Sequence, residues 1–132
     1  MATEAEMGTI VVVDPDPTSR NDAEDLEDEC DRQVIAIDSV DFDTEVSEDI
    51  LEASVYIFRW DLGIRSGVDL LEEVRINPRL ADKKVIIAAE DPTRTMVRWA
   101  MSMGADGFCH VPYDPDEVKA RLAAIEAEPS AA

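Results

Sequence analysis

The sequence predicts an α/β domain, a single doubly wound five-stranded parallel sheet with helices on both faces. Three observations carry that expectation. Short apolar runs rich in β-branched and aromatic residues recur five times, and each is succeeded by a stretch with helical spacing. Most of the runs are apolar at consecutive positions instead of alternating, as strands buried on both faces must be. At 132 residues the chain has the length of one domain and can bury a core without staples.

Thr9 to Val13 reads as the first strand, ended by Asp14-Pro15-Asp16-Pro17. Ala23, Leu26 and Cys30 have the spacing of a heavily charged first helix, and Gln33 to Ile37 is the second strand. Val46, Ile50 and Ala53 outline a short helix with a narrow apolar stripe. Val55 to Phe58 is the third strand, with a loop from Arg59 to Ser66. Val68, Leu71 and Val74 mark the inner face of the next helix, closed by Asn77-Pro78. Lys84 to Ala89 is the fourth strand, and Asp91-Pro92 opens a helix that ends at Gly104. Gly107 to Val111 is the fifth strand, broken by Pro112. Asp114-Pro115 starts the last helix, with Val118, Leu122 and Ile125 on one face. Right-handed crossovers between parallel strands then favour the flavodoxin-like strand order 2-1-3-4-5. Residues 8–126 are expected to form the domain, with flexible tails at 1–7 and 127–132.

Composition narrows the function. Twelve basic residues against thirty-one acidic ones give a formal charge of −19. Such a surface repels phosphate backbones and argues against nucleic-acid binding. The acids are spread along the chain, so a solvated surface, suited even to high salt, is the first reading. A docking face for a basic partner is the second. No apolar run approaches the ~20 residues that cross a bilayer, so no membrane association is expected. The acidic start Met1 to Gly8 lacks the regions of a signal peptide. Cys30 and Cys109 suit reduced thiols, and a cytoplasmic location is expected.

In a doubly wound sheet a site belongs at the carboxyl ends of the strands, near the switch point between strands 1 and 3. There the sequence offers Asp14, Pro15 and Asp16, then Arg59, Trp60 and Asp61, then Ala89 and Glu90, and Val111-Pro112. Three motifs carry a family resemblance. They are Ile10-Val-Val-Val-Asp-Pro-Asp-Pro17, Ser66-Gly-Val-Asp-Leu-Leu71, and Met103-Gly-Ala-Asp-Gly-Phe108 followed by Val111-Pro112-Tyr113. Over residues 8–126 the sequence resembles the receiver domains of two-component response regulators. That resemblance implies phosphoryl transfer from a phosphohistidine, as in a phosphorelay, to an Asp at the end of strand 3. It also implies Mg²⁺ held by that Asp and an acidic pair, with a hydroxyl and a Lys contacting the phosphoryl oxygens.

Carried over by spacing, nearly all of that machinery is missing. The phosphoacceptor position falls on Arg59, which has no acceptor atom. Asp14 remains of the acidic pair, whose second position is Pro15; the hydroxyl position is Ala89 and the Lys position is Val111. Arg59 is expected to sit among Asp14, Asp16 and Asp61 and to supply internally the charge that Mg²⁺ and Lys supply elsewhere. No metal, cofactor or catalytic residue is therefore expected. The resemblance further implies a cis Val111–Pro112 bond.

The expected function is a non-phosphorylatable pseudo-receiver, not an enzyme, acting in signalling or regulation through protein–protein interaction. The resemblance places the partner, another signalling protein or a second copy, on the face built from helix 4, strand 5 and helix 5. Met96, Ala100 and Met103 supply the core stripe of that fourth helix, leaving Val97, Trp99 and Met101, with Phe108 on the strand, as the candidate partner surface. His110 reads as a structural residue. Two other readings stand beside this one: a receiver phosphorylated at a displaced acceptor, Asp61, and a small-molecule-binding flavodoxin-like module.

Overall fold

The computed structural model describes residues 8–38, 42, 48–63 and 65–127. Five strands, β1 (Ile10–Val13), β2 (Val34–Ile37), β3 (Val55–Arg59), β4 (Lys84–Ala89) and β5 (Gly107–His110), form one sheet in the order β2-β1-β3-β4-β5. All four pairings are parallel, as expected. The helices are α1 (Pro17–Glu24), α2 (Leu26–Cys30), α3 (Glu48–Glu52), α4 (Gly67–Ile76), α5 (Arg94–Ser102) and α6 (Pro115–Ala127). None among the described residues is long and apolar enough to cross a membrane.

Strand residues pointing to alternate faces divide the core in two. Val11, Val13, Tyr56, Phe58, Val85 and Ile87 face α3, α4 and α5, where Ile50, Leu70, Leu71, Val74 and Ala100 meet them. Ile10, Val12, Val55, Ile57, Ile86 and Ala88 face α1, α2 and α6, closed by Ala23, Leu26, Val118, Leu122 and Ile125. This is why the strands read as unbroken apolar runs.

Several boundaries differ from expectation. The single first helix is two, broken at Asp25. Carboxylates at i, i+3 and i+4 from Asp22 to Asp31 repel one another, and neither helix has a basic residue in its last turn to offset the dipole. Val46 of the expected short helix lies outside the described residues. Arg59 is not in a loop but is the last residue of β3, opposite Ala88. β5 stops at His110, although the Val111 N–H still bonds the Ala89 carbonyl, and Val111–Pro112 is cis. The last helix includes Ala127, one residue past the expected boundary; residues 1–7 and 128–132 lie outside the described residues.

At the amino ends of the strands one buried cation gathers three segments. The Arg32 side chain, 1% exposed, donates from Nε to the Gly8 carbonyl, from Nη2 to Ser54 Oγ, and from Nη1 to Glu126. It thus joins the entry to β1, the entry to β3 and the end of α6.

Candidate functional site

At the opposite end, where β1 and β3 diverge toward their crossovers, Asp14 comes directly after β1. Its side chain is fully buried, so its charge requires internal partners. Oδ1 accepts the Asp16 N–H at 2.9 Å and Arg59 Nη1 at 3.1 Å, and Oδ2 accepts the Tyr113 hydroxyl at 2.8 Å. Burial first, and then the neighbouring carboxylate, push the Tyr113 phenol far above its ordinary value, so it stays a protonated donor.

Arg59 is delivered by the last rung of β3 with its side chain 14% exposed. Nη1 also donates to Ser19 Oγ at 3.3 Å, and Nη2 to Glu90 Oε1 at 2.8 Å. Burial works to lower its pKa, but the bond and charge of Asp14, with Tyr113 and Glu90 behind them, outweigh that and raise it. The backbone position is held from behind as well. A Cβ on Gly67 would lie 2.4 Å from the Arg59 carbonyl oxygen, so only glycine fits where α4 begins. Ser66 caps that helix, its hydroxyl accepting the Asp69 N–H and the Asp69 carboxylate accepting the Ser66 N–H.

The expected ring of acids around Arg59 is corrected in one member. Asp16 is in range at 3.9 Å, but mainly caps α1, with Oδ1 accepting the Thr18 N–H at 2.9 Å. Asp61 is exposed, forms a bridge with Ser66, and accepts the Gly63 N–H of its own turn. It lies two residues past the strand end, where the chain has already turned away. The third acid is Glu90, just past β4, which the expected set lacks. Tyr113, in the sequence a motif residue without a role, is a ligand of Asp14. Pro15 has no donor to offer, and Ala89 and Val111 are buried and apolar.

These donors do not fit a hard divalent cation. Asp14 spends both oxygens on protein donors, Pro15 provides none, and a guanidinium stands at the end of β3. No group of three metal-ligating side chains occurs among the described residues.

The expected partner residues do not form one face. Trp99 and Met101 are 55% and 45% exposed but sit about 200° apart around α5. Met101, with half-buried Val97 and buried Phe108, lines a groove of about 240 Å³ between α5, β5 and α6. Trp99 flanks the other side of the helix, its ring edge-on to Trp60 at 5.9 Å between centroids. Met96, Ala100 and Met103 make the inner stripe as expected.

No protein-family model matches the sequence, and comparison with curated proteins finds no match. Solved structures are similar instead. The BeF₃-activated receiver domain of DrrB matches at 19% identity over 92% of this chain and 99% of its own, with a TM-score of 0.75. The Vibrio cholerae chemotaxis protein CheY4 matches at 14% identity over 90% and 98%, with a TM-score of 0.71. The chain has the receiver fold. A further receiver-fold match, a response regulator from Burkholderia pseudomallei, has a phosphorylated aspartic acid and a calcium ion. It is 15% identical over 91% of this chain and 70% of its own, with a TM-score of 0.69. In the present chain the receiver fold carries an arginine–carboxylate–tyrosine network at the carboxyl ends of its strands.

Proposed function

We propose that this chain is a receiver-fold module that does not undergo phosphoryl transfer and that works as a cytoplasmic protein-binding element in signalling or regulation. The observation that carries the reading is the position of Arg59. It ends β3, where the sequence resemblance puts the phosphoacceptor, and its guanidinium holds the buried Asp14 carboxylate at 3.1 Å. Phosphoryl transfer needs an acceptor oxygen and cations or donors where charge develops. Arg59 has no acceptor atom, and Pro15, Ala89 and Val111 add no metal ligand, hydroxyl or ammonium. The guanidinium neutralises Asp14 permanently, so the site stays in one electrostatic state. Function then rests on surface recognition by another signalling protein or a second copy, for which the groove between α5, β5 and α6 is one candidate face.

Incubation with acetyl phosphate and Mg²⁺, with the intact mass measured afterwards, tests this. No mass gain is expected. An added phosphoryl group that is lost in Asp61→Asn would show a displaced acceptor at work and overturn the reading.

A further inference from the structure

On the side of α5 away from the groove, a second crevice of about 190 Å³ is lined by Arg59, Trp60, Asp61, Ala89, Glu90, Asp91 and Met96. Its apolar wall is the half-buried Trp60, extended by the exposed indole of Trp99, which meets it at an interplanar angle of 77°. Its rim is acidic. Asp61, Glu90 and Asp91 are all exposed, and Asp91 has no hydrogen-bond or ion-pair partner among the described residues. Among the described residues Arg59 is the single lining cation, and it is already committed to Asp14 and Glu90.

We infer that this crevice docks an arginine-bearing segment of a partner protein, the guanidinium stacking on Trp60 beneath the Asp61, Glu90 and Asp91 carboxylates while a neighbouring apolar side chain covers Trp99. Tryptophan is the best aromatic face for a cation, and arginine stacks while still pairing with a carboxylate in its plane. Charge complementarity selects the occupant: an acidic segment would meet three exposed carboxylates, and a purely apolar one would cover Asp91 without giving it a partner. The formal −19 of the whole chain adds long-range attraction for a basic partner. Trp99 supplies what a simple ion site has no use for, an exposed aromatic surface continuous with the pocket wall. The inference rests on the protein-binding reading above and names the chemistry of the partner.

The chain's only two tryptophans form this wall, so intrinsic fluorescence reports directly on occupancy. The purified protein is titrated at low and moderate salt with the blocked peptide acetyl-Arg-Leu-Arg-amide, with its Glu-Leu-Glu counterpart, and with spermidine. A saturable spectral change is expected with the arginine peptide alone. Asp91→Asn and Trp99→Ala should each weaken it about three-fold, as expected for losing one exposed ion pair or cation–aromatic contact. Asp28→Asn, which removes the same charge from α2, should leave it unchanged. Thermal melts of each variant establish that it is folded. Absence of a saturable change, an equal response to spermidine, or equal weakening by Asp28→Asn would overturn the proposal as mere attraction to an acidic surface. None of these outcomes bears on acetyl phosphate reactivity, so the two readings fail separately.

Discussion

Replacing Arg59 tests whether the guanidinium neutralises the crevice or simply decorates it. Removing one partner of a buried ion pair costs about 3–5 kcal/mol when the other charge is stranded. Here Asp14 keeps the Asp16 N–H and the Tyr113 hydroxyl. Glu90 is 67% exposed and loses little when freed. Arg59→Ala should therefore cost about 2 kcal/mol. At about 2.1 cal/mol/K per residue, that is a fall of roughly 8 °C in Tm. Arg59→Asp restores the residue type that receivers use but sets a new carboxylate beside Asp14 and Asp16. It should cost about 4 kcal/mol at pH 8, twice the alanine variant.

The pH dependence has a definite sign. The introduced acid has its folded pKa raised by like charge, so the unfolded state releases its proton first. Stability then falls as pH rises from its unfolded to its folded value. The parent behaves differently. Arg59 has its pKa raised further above an already strongly basic value, so it stays charged and its contribution is constant between pH 5 and 8. Thermal melts of the three proteins at pH 5 and pH 8 should show the gap between the Asp and Ala variants widening at pH 8. An Arg59→Asp protein as stable as the parent at pH 8 would refute the neutralisation argument, and a gap independent of pH would refute its electrostatic origin.

Tyr113→Phe deletes one donor to the buried Asp14 carboxylate and should lower stability by about 1–2 kcal/mol in urea titrations; a loss under ~0.5 kcal/mol would mean the hydroxyl is dispensable. Glu117 is pushed up by burial but brought below its ordinary 4.5 by the His110 N–H and imidazole, so its contribution is present above that value and lost as pH falls through the folded one. The stability difference between parent and Glu117→Gln should be near 1 kcal/mol at pH 6.5 and shrink steadily as pH falls below 4.5, and a difference that stays undiminished in acid would sink the assignment. Finally, Tm should rise as NaCl goes from about 0.05 to 1 M, because screening relieves repulsion along the acidic α1–α2 stretch. A flat or falling curve would show that the −19 charge costs the fold nothing.

The order of the sheet was legible because strands buried on both faces leave unbroken apolar runs, and Asp-Pro pairs mark the turns after β1, β4 and β5. The break at Asp25 was not, since Ala23, Leu26 and Cys30 keep one spacing whether the helix is continuous or divided. Spacing brought Arg59 to Asp14, but the choice between Asp61 and Glu90 depends on tertiary register. With Arg59 opposite Ala88, Glu90 stands two residues on, just past the end of β4, and within reach, whereas Asp61 has gone with the turn. Tyr113 was visible only as a motif, because its hydroxyl meets Asp14 across 99 positions of chain. Val97, Trp99 and Met101 looked like one apolar excess in the sequence. The helix distributes them to two flanks.

Arg32 has a practical consequence at the far end of the sheet. By holding the Gly8 carbonyl and the Glu126 carboxylate with one guanidinium, it brings the two ends of the described chain side by side, with the full length of the strands between them and the Trp60–Trp99 wall. An affinity handle, a surface tether or a fluorescent fusion attached at either end would stand clear of both the crevice and the Arg59 network. The domain can therefore be immobilised from one pole and offered to partners from the other, in the orientation that binding measurements on the crevice require.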